Sequence, residues 1–314
     1  MKKALILLNM GGANSIDEVE MFLKNMFSDK NILPTNSFLR KIIGTIIVKN
    51  RVDEVKSNFI KYLNGKSPLT DTTNRLIEKL KSRLDIEVAP AMRYVPPFAS
   101  SALKEFKESG VKELILFPMY PQYSTTTTLS SIQDIEDRLK ELNYSPKITT
   151  IEPYYDDYDY IAMIADKIME AMGDRDTKEY DLILSAHGLP VSIIKNGDPY
   201  EKQIEANLSA LKIYLRSRDI IFKDIKLAYQ SKVGNSSWLE PSLTDTIRTP
   251  YNRKVVIYPL SFTIDNSETI FELDIESREI ANKIKYKDFI VAKCFNESDE
   301  FVDFIIKKYH RAIR

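Results

Sequence analysis

Short, predominantly apolar runs recur along the chain with helix-length amphipathic segments between them. Leu5 to Leu8, Ile86 to Met92, Leu114 to Met119, Leu182 to Leu184, Ile225 to Tyr229, Val255 to Leu260 and Phe289 to Val291 are all of this kind. Runs of this length bounded by turn residues read as buried strands. Strands alternating with helices predict βαβ units, and so parallel sheets covered on both faces. A chain of 314 residues holds two medium α/β domains. The turn-rich stretch from Pro146 to Asp157 predicts the crossing between them, with the boundary near residue 150. Ser15-Ile16-Asp17-Glu18 matches a capping box, in which Ser15 accepts from a free amide and Glu18 reaches back to the cap.

Composition narrows the classes. The chain carries 45 basic and 45 acidic residues, so no overall field points to nucleic acid or to an acidic partner, and any charged site must be local. Neither GxGxxG nor GxxxxGK[ST] occurs, which disfavours nucleotide binding. Cys294 is the single cysteine. It excludes an internal disulfide framework and a cysteine-only zinc or iron–sulfur site, and it fits a reducing cytoplasm. The opening Met1-Lys2-Lys3 and its apolar run resemble a signal peptide, but the run is too short and no small-residue cleavage site follows. No stretch approaches the ~18 apolar residues of a membrane span. Ile42 to Val48, broken by Gly44 and Thr45 and framed by Arg40, Lys41, Lys49 and Arg51, suits either a helix at a membrane surface or an ordinary amphipathic core helix.

Two stretches carry candidate chemistry. Ser185-Ala186-His187-Gly188-Leu189-Pro190 sets one of only two histidines directly after an apolar run, and open α/β sheets bind ligands at the carboxyl ends of their strands. A core histidine satisfied by a local hydrogen bond is the alternative. The second stretch, Asp265 to Glu276, follows the run Val255 to Leu260 and repeats an acid every fourth residue, at Glu268, Glu272 and Glu276. Like charges four apart on a helix cost roughly 0.2–0.5 kcal/mol per pair. A solvated face is the ordinary explanation, but this row starts at the same sheet edge as His187, where it would lead protons or cations outward. One imidazole and one carboxylate suit acid–base chemistry or transient metal capture. They fall short of the four ligands of structural zinc or the usual three of catalytic zinc, so a metal arriving here is handed on.

Three further strand ends add Arg93 and Tyr94, then Tyr120, Tyr123 and the hydroxyls from Ser124 onward, then Gln230 to Gly234 leading to Trp238. An ion pair, helix caps and core packing would account for each singly. Together they describe flat aromatic walls with a few cationic or hydroxyl contacts, suited to a large planar ligand carrying carboxylates.

In these residues the chain resembles the ferrochelatases. The resemblance runs through Leu8-Asn9-Met10-Gly11-Gly12, Phe27-Ser28-Asp29, Ser67-Pro68-Leu69, Met92-Arg93-Tyr94, Tyr120-Pro121-Gln122-Tyr123-Ser124, Ser185 to Pro190, Gly197-Asp198-Pro199-Tyr200, Gln230-Ser231-Lys232-Val233-Gly234, Trp238-Leu239 and Asp265 to Glu276, in family order over nearly the whole length. It implies two Rossmann-like domains, 1–150 and 151–296, with the active site in the cleft between them and a C-terminal helix, 297–314, packing back on the first. The implied activity is insertion of ferrous iron, as substrate, into protoporphyrin IX to give protohaem, with no resident cofactor. His187 and Glu268 are the implied catalytic and metal-site residues and Glu272 and Glu276 a proton or metal relay on a π-wound helix. Met10, Arg93, Tyr94, Tyr123, Ser124 and Trp238 are the implied substrate contacts, and residues 33–56 an apolar lip giving peripheral contact with the inner face of the membrane. Asn266 stands where the family often has a histidine, and the cysteine-rich extension of animal members is absent, so no iron–sulfur cluster is expected. Coproporphyrin as substrate, a cobaltochelatase and a non-catalytic porphyrin or haem carrier are the alternatives.

Overall fold

The computed structural model describes residues 2–232 and 237–314, in which the chain forms two compact units, Met1–Pro153 with Glu297–Arg314, and Tyr154–Asn296. Val233 and Gly234 lie outside the described residues.

The first unit is built on β1 (Lys3–Asn9), β2 (Glu87–Met92), β3 (Glu113–Pro118) and β4 (Lys147–Thr150), in the order β2-β1-β3-β4 and parallel throughout. The second repeats that plan with β5 (Asp181–His187), β6 (Asp224–Gln230), β7 (Lys254–Pro259) and β8 (Asp288–Val291), in the order β6-β5-β7-β8. Ala4 to Leu8 of β1 and Leu182, Leu184 and Ala186 of β5 are fully buried, as central strands covered on both faces should be. The parallel α/β architecture expected from the apolar runs is therefore the one adopted. The strand that the hydrophobic pattern omits is β4. Its sequence, Lys-Ile-Thr-Thr, holds one apolar residue, and that residue is exposed. Pairing with β3 and the Lys147–Glu113 ion pair at 3.0 Å hold it in place.

The two units share their strand ends as well as their strand order. Leu8 lies opposite Pro118, and Ser185 opposite Pro259. In each case the residue after the proline donates its amide back across the gap, Met119 to the Leu8 carbonyl and Leu260 to that of Ser185. Met10 and His187, each two residues further along, therefore occupy corresponding places. A π-helix follows the third strand in both units, Thr125–Leu129 in the first and Thr269–Glu276 in the second, and each runs directly into an α-helix.

Helix Ile16–Ser28 starts from Ser15, whose hydroxyl accepts the Glu18 amide. The Glu18 carboxylate returns to the Asn14 amide at 2.9 Å, so the box closes one residue before the cap rather than on it. The run Ile42 to Val48 lies inside helix Ser37–Tyr62. A Cβ at Gly44 would stand 3.1 Å from the Phe27 carbonyl oxygen, so glycine permits the close approach of these two helices. Phe38 (71% exposed), Leu39, Ile42, Ile43 and Ile46 lie open to solvent on the same helix. No helix among the described residues is long and apolar enough to cross a membrane. Helix Asp299–Ala312 and Glu297 just before it join the first unit through ion pairs with helix Leu69–Arg83: Arg75 with Glu297 at 2.6 Å, Lys79 with Asp299 at 2.9 Å, and Arg83 with Asp303.

Candidate active site

β5 delivers His187 to the carboxyl edge of the second sheet, and the chain leaving β7 delivers the acidic helix to the same edge. Glu268 immediately precedes the π-helix Thr269–Glu276, and its Oε2 stands 3.6 Å from His187 Nε2. Both side chains keep about a third of their surface open, 34% and 36%. Even so, protein atoms crowd the imidazole, and the resulting loss of hydration holds its pKa below the ordinary value, against the opposing pull of the Glu272 carboxylate.

Glu272 is a strongly perturbed acid. Desolvation, followed by repulsion from Glu268, pushes its pKa up to about 7. A hydrogen bond from Ser231 Oγ at 2.6 Å works in the opposite direction, and Gln230 Nε2 adds a longer contact at 3.4 Å. Gln230 is itself fixed by the Ser185 hydroxyl, 2.8 Å from its Oε1. Ser231 has a φ of +65°. That backbone conformation is uncommon for a residue with a side chain and is often tied to a functional constraint. Glu276 lies at the exposed end of the row. The π winding is marked by the Ser277 amide donating to the Glu272 carbonyl, five residues back, with the Ser277 hydroxyl donating to the same oxygen at 2.7 Å. Such segments occur frequently at functional sites.

Asn266 has a structural task here. Its Oδ1 accepts the Glu268 amide at 2.8 Å and the Thr269 amide at 3.3 Å, capping the start of the acidic helix and setting where Glu268 emerges. Asp265 braces the same turn from behind, accepting from Asn296 Nδ2 at 2.7 Å. Gly188, next to the histidine, admits the strand behind it: a Cβ there would lie 2.7 Å from the Gln230 carbonyl oxygen and 3.4 Å from the Trp238 ring. Trp238 thus stands against the His187–Gly188 turn, joined to it by an isolated bridge to Pro190.

The corresponding edge of the first unit is occupied differently. Asp29, buried, accepts from Tyr94 Oη at 3.0 Å, from Arg93 at 3.2 Å and from Ser130. Arg93 also donates to Ser130 Oγ at 3.0 Å and faces Asp134 at 3.6 Å. Its guanidinium is therefore largely committed within the unit. Two of the expected substrate contacts lie buried in this arrangement. Tyr94 is 0% exposed, and its phenol donates to Asp29. Ser124 is 1% exposed and caps the first π-helix, accepting the Thr126 amide at 3.1 Å. Met10 and Tyr123 are partly exposed. Among the described residues no group of three or more His, Cys, Asp or Glu forms a metal cage.

Two parallel four-stranded sheets of this order match the chelatase class of folds. SirB from Bacillus subtilis, solved with Fe3+, matches with a TM-score of 0.60 at 10% identity, covering 99% of this chain and 96% of its own. CbiX, the terminal enzyme for biosynthesis of siroheme in denitrifying bacteria, matches with a TM-score of 0.55 at 11% identity over the full length of both. The sequence is far more specific. The ferrochelatase family model matches residues 2–313. A ferrochelatase of Wolinella succinogenes is 49% identical over 310 residues, 98% of each chain. A ferrochelatase of a Nitratiruptor species is 48% identical over 311 residues, 98% of this chain and 99% of its own. The chain belongs to the ferrochelatase family, the porphyrin-metallating enzymes that insert iron in haem synthesis.

Proposed function

We propose that the porphyrin this chain metallates is protoporphyrin IX and that His187 and Glu268 meet the reacting centre. Metallation exchanges two pyrrole N–H protons for one Fe2+, so the site needs two proton acceptors and a way of bending a flat macrocycle until its nitrogen lone pairs face the metal. His187 Nε2 takes the first proton. Glu268 receives Fe2+ or the second proton, and its charge favours the imidazolium as it forms. Glu272, poised near neutrality, and Glu276, at the exposed end of the row, pass protons outward or iron inward. The observation that carries this reading is the His187 imidazole 3.6 Å from the Glu268 carboxylate, its pKa lowered by burial, beside Glu272, whose pKa burial pushes up to about 7. Binding energy spent on gripping the porphyrin in a bent shape lowers the barrier in the way expected of differential binding. Trp238, Met10 and Tyr123 supply partly exposed apolar or aromatic contacts for it.

The open apolar row Phe38, Leu39, Ile42, Ile43 and Ile46, framed by Arg40, Lys41, Lys49 and Arg51, supports peripheral contact with the inner face of a membrane, from which an apolar porphyrin is drawn. The same row favours protoporphyrin over the more polar coproporphyrin. The test is anaerobic incubation of the purified chain with Fe2+ or Zn2+ and either detergent-dispersed porphyrin, followed by absorbance and fluorescence. Multiple turnovers with a clear preference for protoporphyrin support the reading. A preference for coproporphyrin overturns the substrate, and tight binding without insertion overturns catalysis in favour of a carrier.

A further inference from the structure

In a parallel ladder, alternate residues bond to opposite neighbouring strands. On β5, the Ser185 carbonyl accepts the Leu260 amide from the β7 side, and the Gly188 amide donates to the Gln230 carbonyl on the β6 side. His187, two residues beyond Ser185, therefore turns its own N–H and C=O towards β7. That strand has already ended at Pro259, and backbone groups left unpaired in such a place are costly.

Two side chains take over from the missing strand. The His187 amide donates to Ser261 Oγ at 3.1 Å. The Tyr200 hydroxyl donates to the His187 carbonyl at 2.9 Å. The two hydroxyl oxygens lie 2.7 Å apart. Because the single phenol proton goes to the carbonyl, the serine must donate the 2.7 Å bond. The result is a closed, proton-ordered ring that runs from the His187 N–H through Ser261 and Tyr200 back to the His187 C=O. Each donor is used once, and bonds in such a chain polarise one another. Tyr200 is suited to the task. It is buried, burial pushes its pKa up so that it stays protonated, and its own amide is tied to Asp198 Oδ1 at 3.0 Å. This gives the Gly197-Asp198-Pro199-Tyr200 motif a physical role. At the corresponding place in the first unit, the Met10 carbonyl instead accepts the Tyr94 amide at 3.0 Å, a strand-like contact on the β2 side.

We propose that Tyr200 and Ser261 are positioning residues for the metallation reaction, acting through a hydrogen-bonded ring that locks the His187 backbone and so aims its imidazole at Glu268. The proposal rests on the reading that His187 is the proton acceptor. Both hydroxyls are spent on the His187 backbone and on each other, so the ring should act on turnover rather than on porphyrin affinity. Misplacing a reacting group by an ångström is enough to cost up to about a hundred-fold.

The experiment compares Tyr200→Phe, Ser261→Ala, the double variant and Ser261→Thr, with His187→Ala as control. The readings are steady-state zinc insertion, thermal stability, and the NMR signal of the His187 ring at one fixed pH. The chain has only two histidines, so the signal lost in His187→Ala identifies itself. Each single variant should lower kcat about ten-fold and leave KM for porphyrin within roughly two-fold. Because one cut opens the ring, the double variant should fall no more than about two-fold below either single one. Ser261→Thr, which keeps a hydroxyl, should restore turnover. The His187 signal should move in both single variants while that of His310 stays in place. Losses that multiply in the double variant, or lower thermal stability with unchanged kcat and an unmoved His187 signal, overturn the ring. If instead His187→Ala turns over normally, the assignment of His187 itself has failed.

Discussion

At the carboxyl edge of the first sheet, the buried Asp29 carboxylate is met by Arg93, Tyr94 and Ser130. At the same edge of the second, Glu272 is met by Ser231 and Gln230, and its titratable neighbours are Glu268, His187 and Glu276. The strand registers relate the two places residue by residue. Leu8 lies opposite Ala91, and Ser185 opposite Ala228, so Arg93 corresponds to Gln230 and Tyr94 to Ser231. One plan has been completed in two ways. A guanidinium at this position neutralises the acid and closes the network. An amide there brings hydrogen bonds without charge, leaving the acids to repel one another and Glu272 to hold its proton up to about pH 7. Both units have a π-helix at this edge; in the first, Ser124 and Thr125–Leu129 supply hydroxyls where the second has its row of acids.

The contrast predicts opposite responses to removing charge. Arg93→Leu should strip the buried Asp29 of its cation and cost about 3 kcal/mol or more. It should appear as a lower urea midpoint with the slope unchanged. A loss within experimental error would mean that the Asp29 network is not closed by charge. Glu272→Gln should do the reverse. A carboxyl whose folded-state pKa is raised from 4.5 to about 7 favours the fold below its unfolded value and loses that favour as pH rises through the folded one. The variant should therefore be more stable than the parent at pH 8, by up to about 3 kcal/mol, and the advantage should vanish below about pH 4.5. A variant less stable at pH 8 would refute the claim that this acid is held under strain. Ser231→Ala sharpens the point with a smaller effect. Loss of the 2.6 Å donor should raise the Glu272 pKa further and move the associated limb of the pH–rate profile upward by roughly one unit. A downward shift would contradict the assigned sign.

The parts of this arrangement visible in the sequence are those with local causes. β1 and β5 announce themselves because both faces are buried, so Leu5 to Leu8 and Leu182 to Leu184 are apolar without a break. β4 is hidden because its lone isoleucine faces solvent and a neighbouring strand holds it in place. His187 and the row Glu268, Glu272 and Glu276 stand out by their place after apolar runs and by their spacing. The burial of Tyr94 was not legible because an aromatic at a strand end gives no sign of which way it turns. Its partner Asp29 lies 65 positions away, at the end of a helix. The same limit hid Ser231, whose hydroxyl reaches Glu272 only because its backbone adopts a positive φ. Asn266 was measured against the family's histidine, but its own spacing, with Oδ1 reaching the amides two and three residues ahead, was a readable cap signal.

The central claim is that the open electrostatics of the second unit form the proton-accepting site. The direct measurement is anaerobic insertion of Fe2+ into protoporphyrin IX by the parent chain, His187→Ala and Glu268→Gln, with porphyrin binding measured separately for each. The account predicts that both variants bind porphyrin nearly as the parent does while turnover falls by about two orders of magnitude or more. Near-normal turnover in either variant would contradict it.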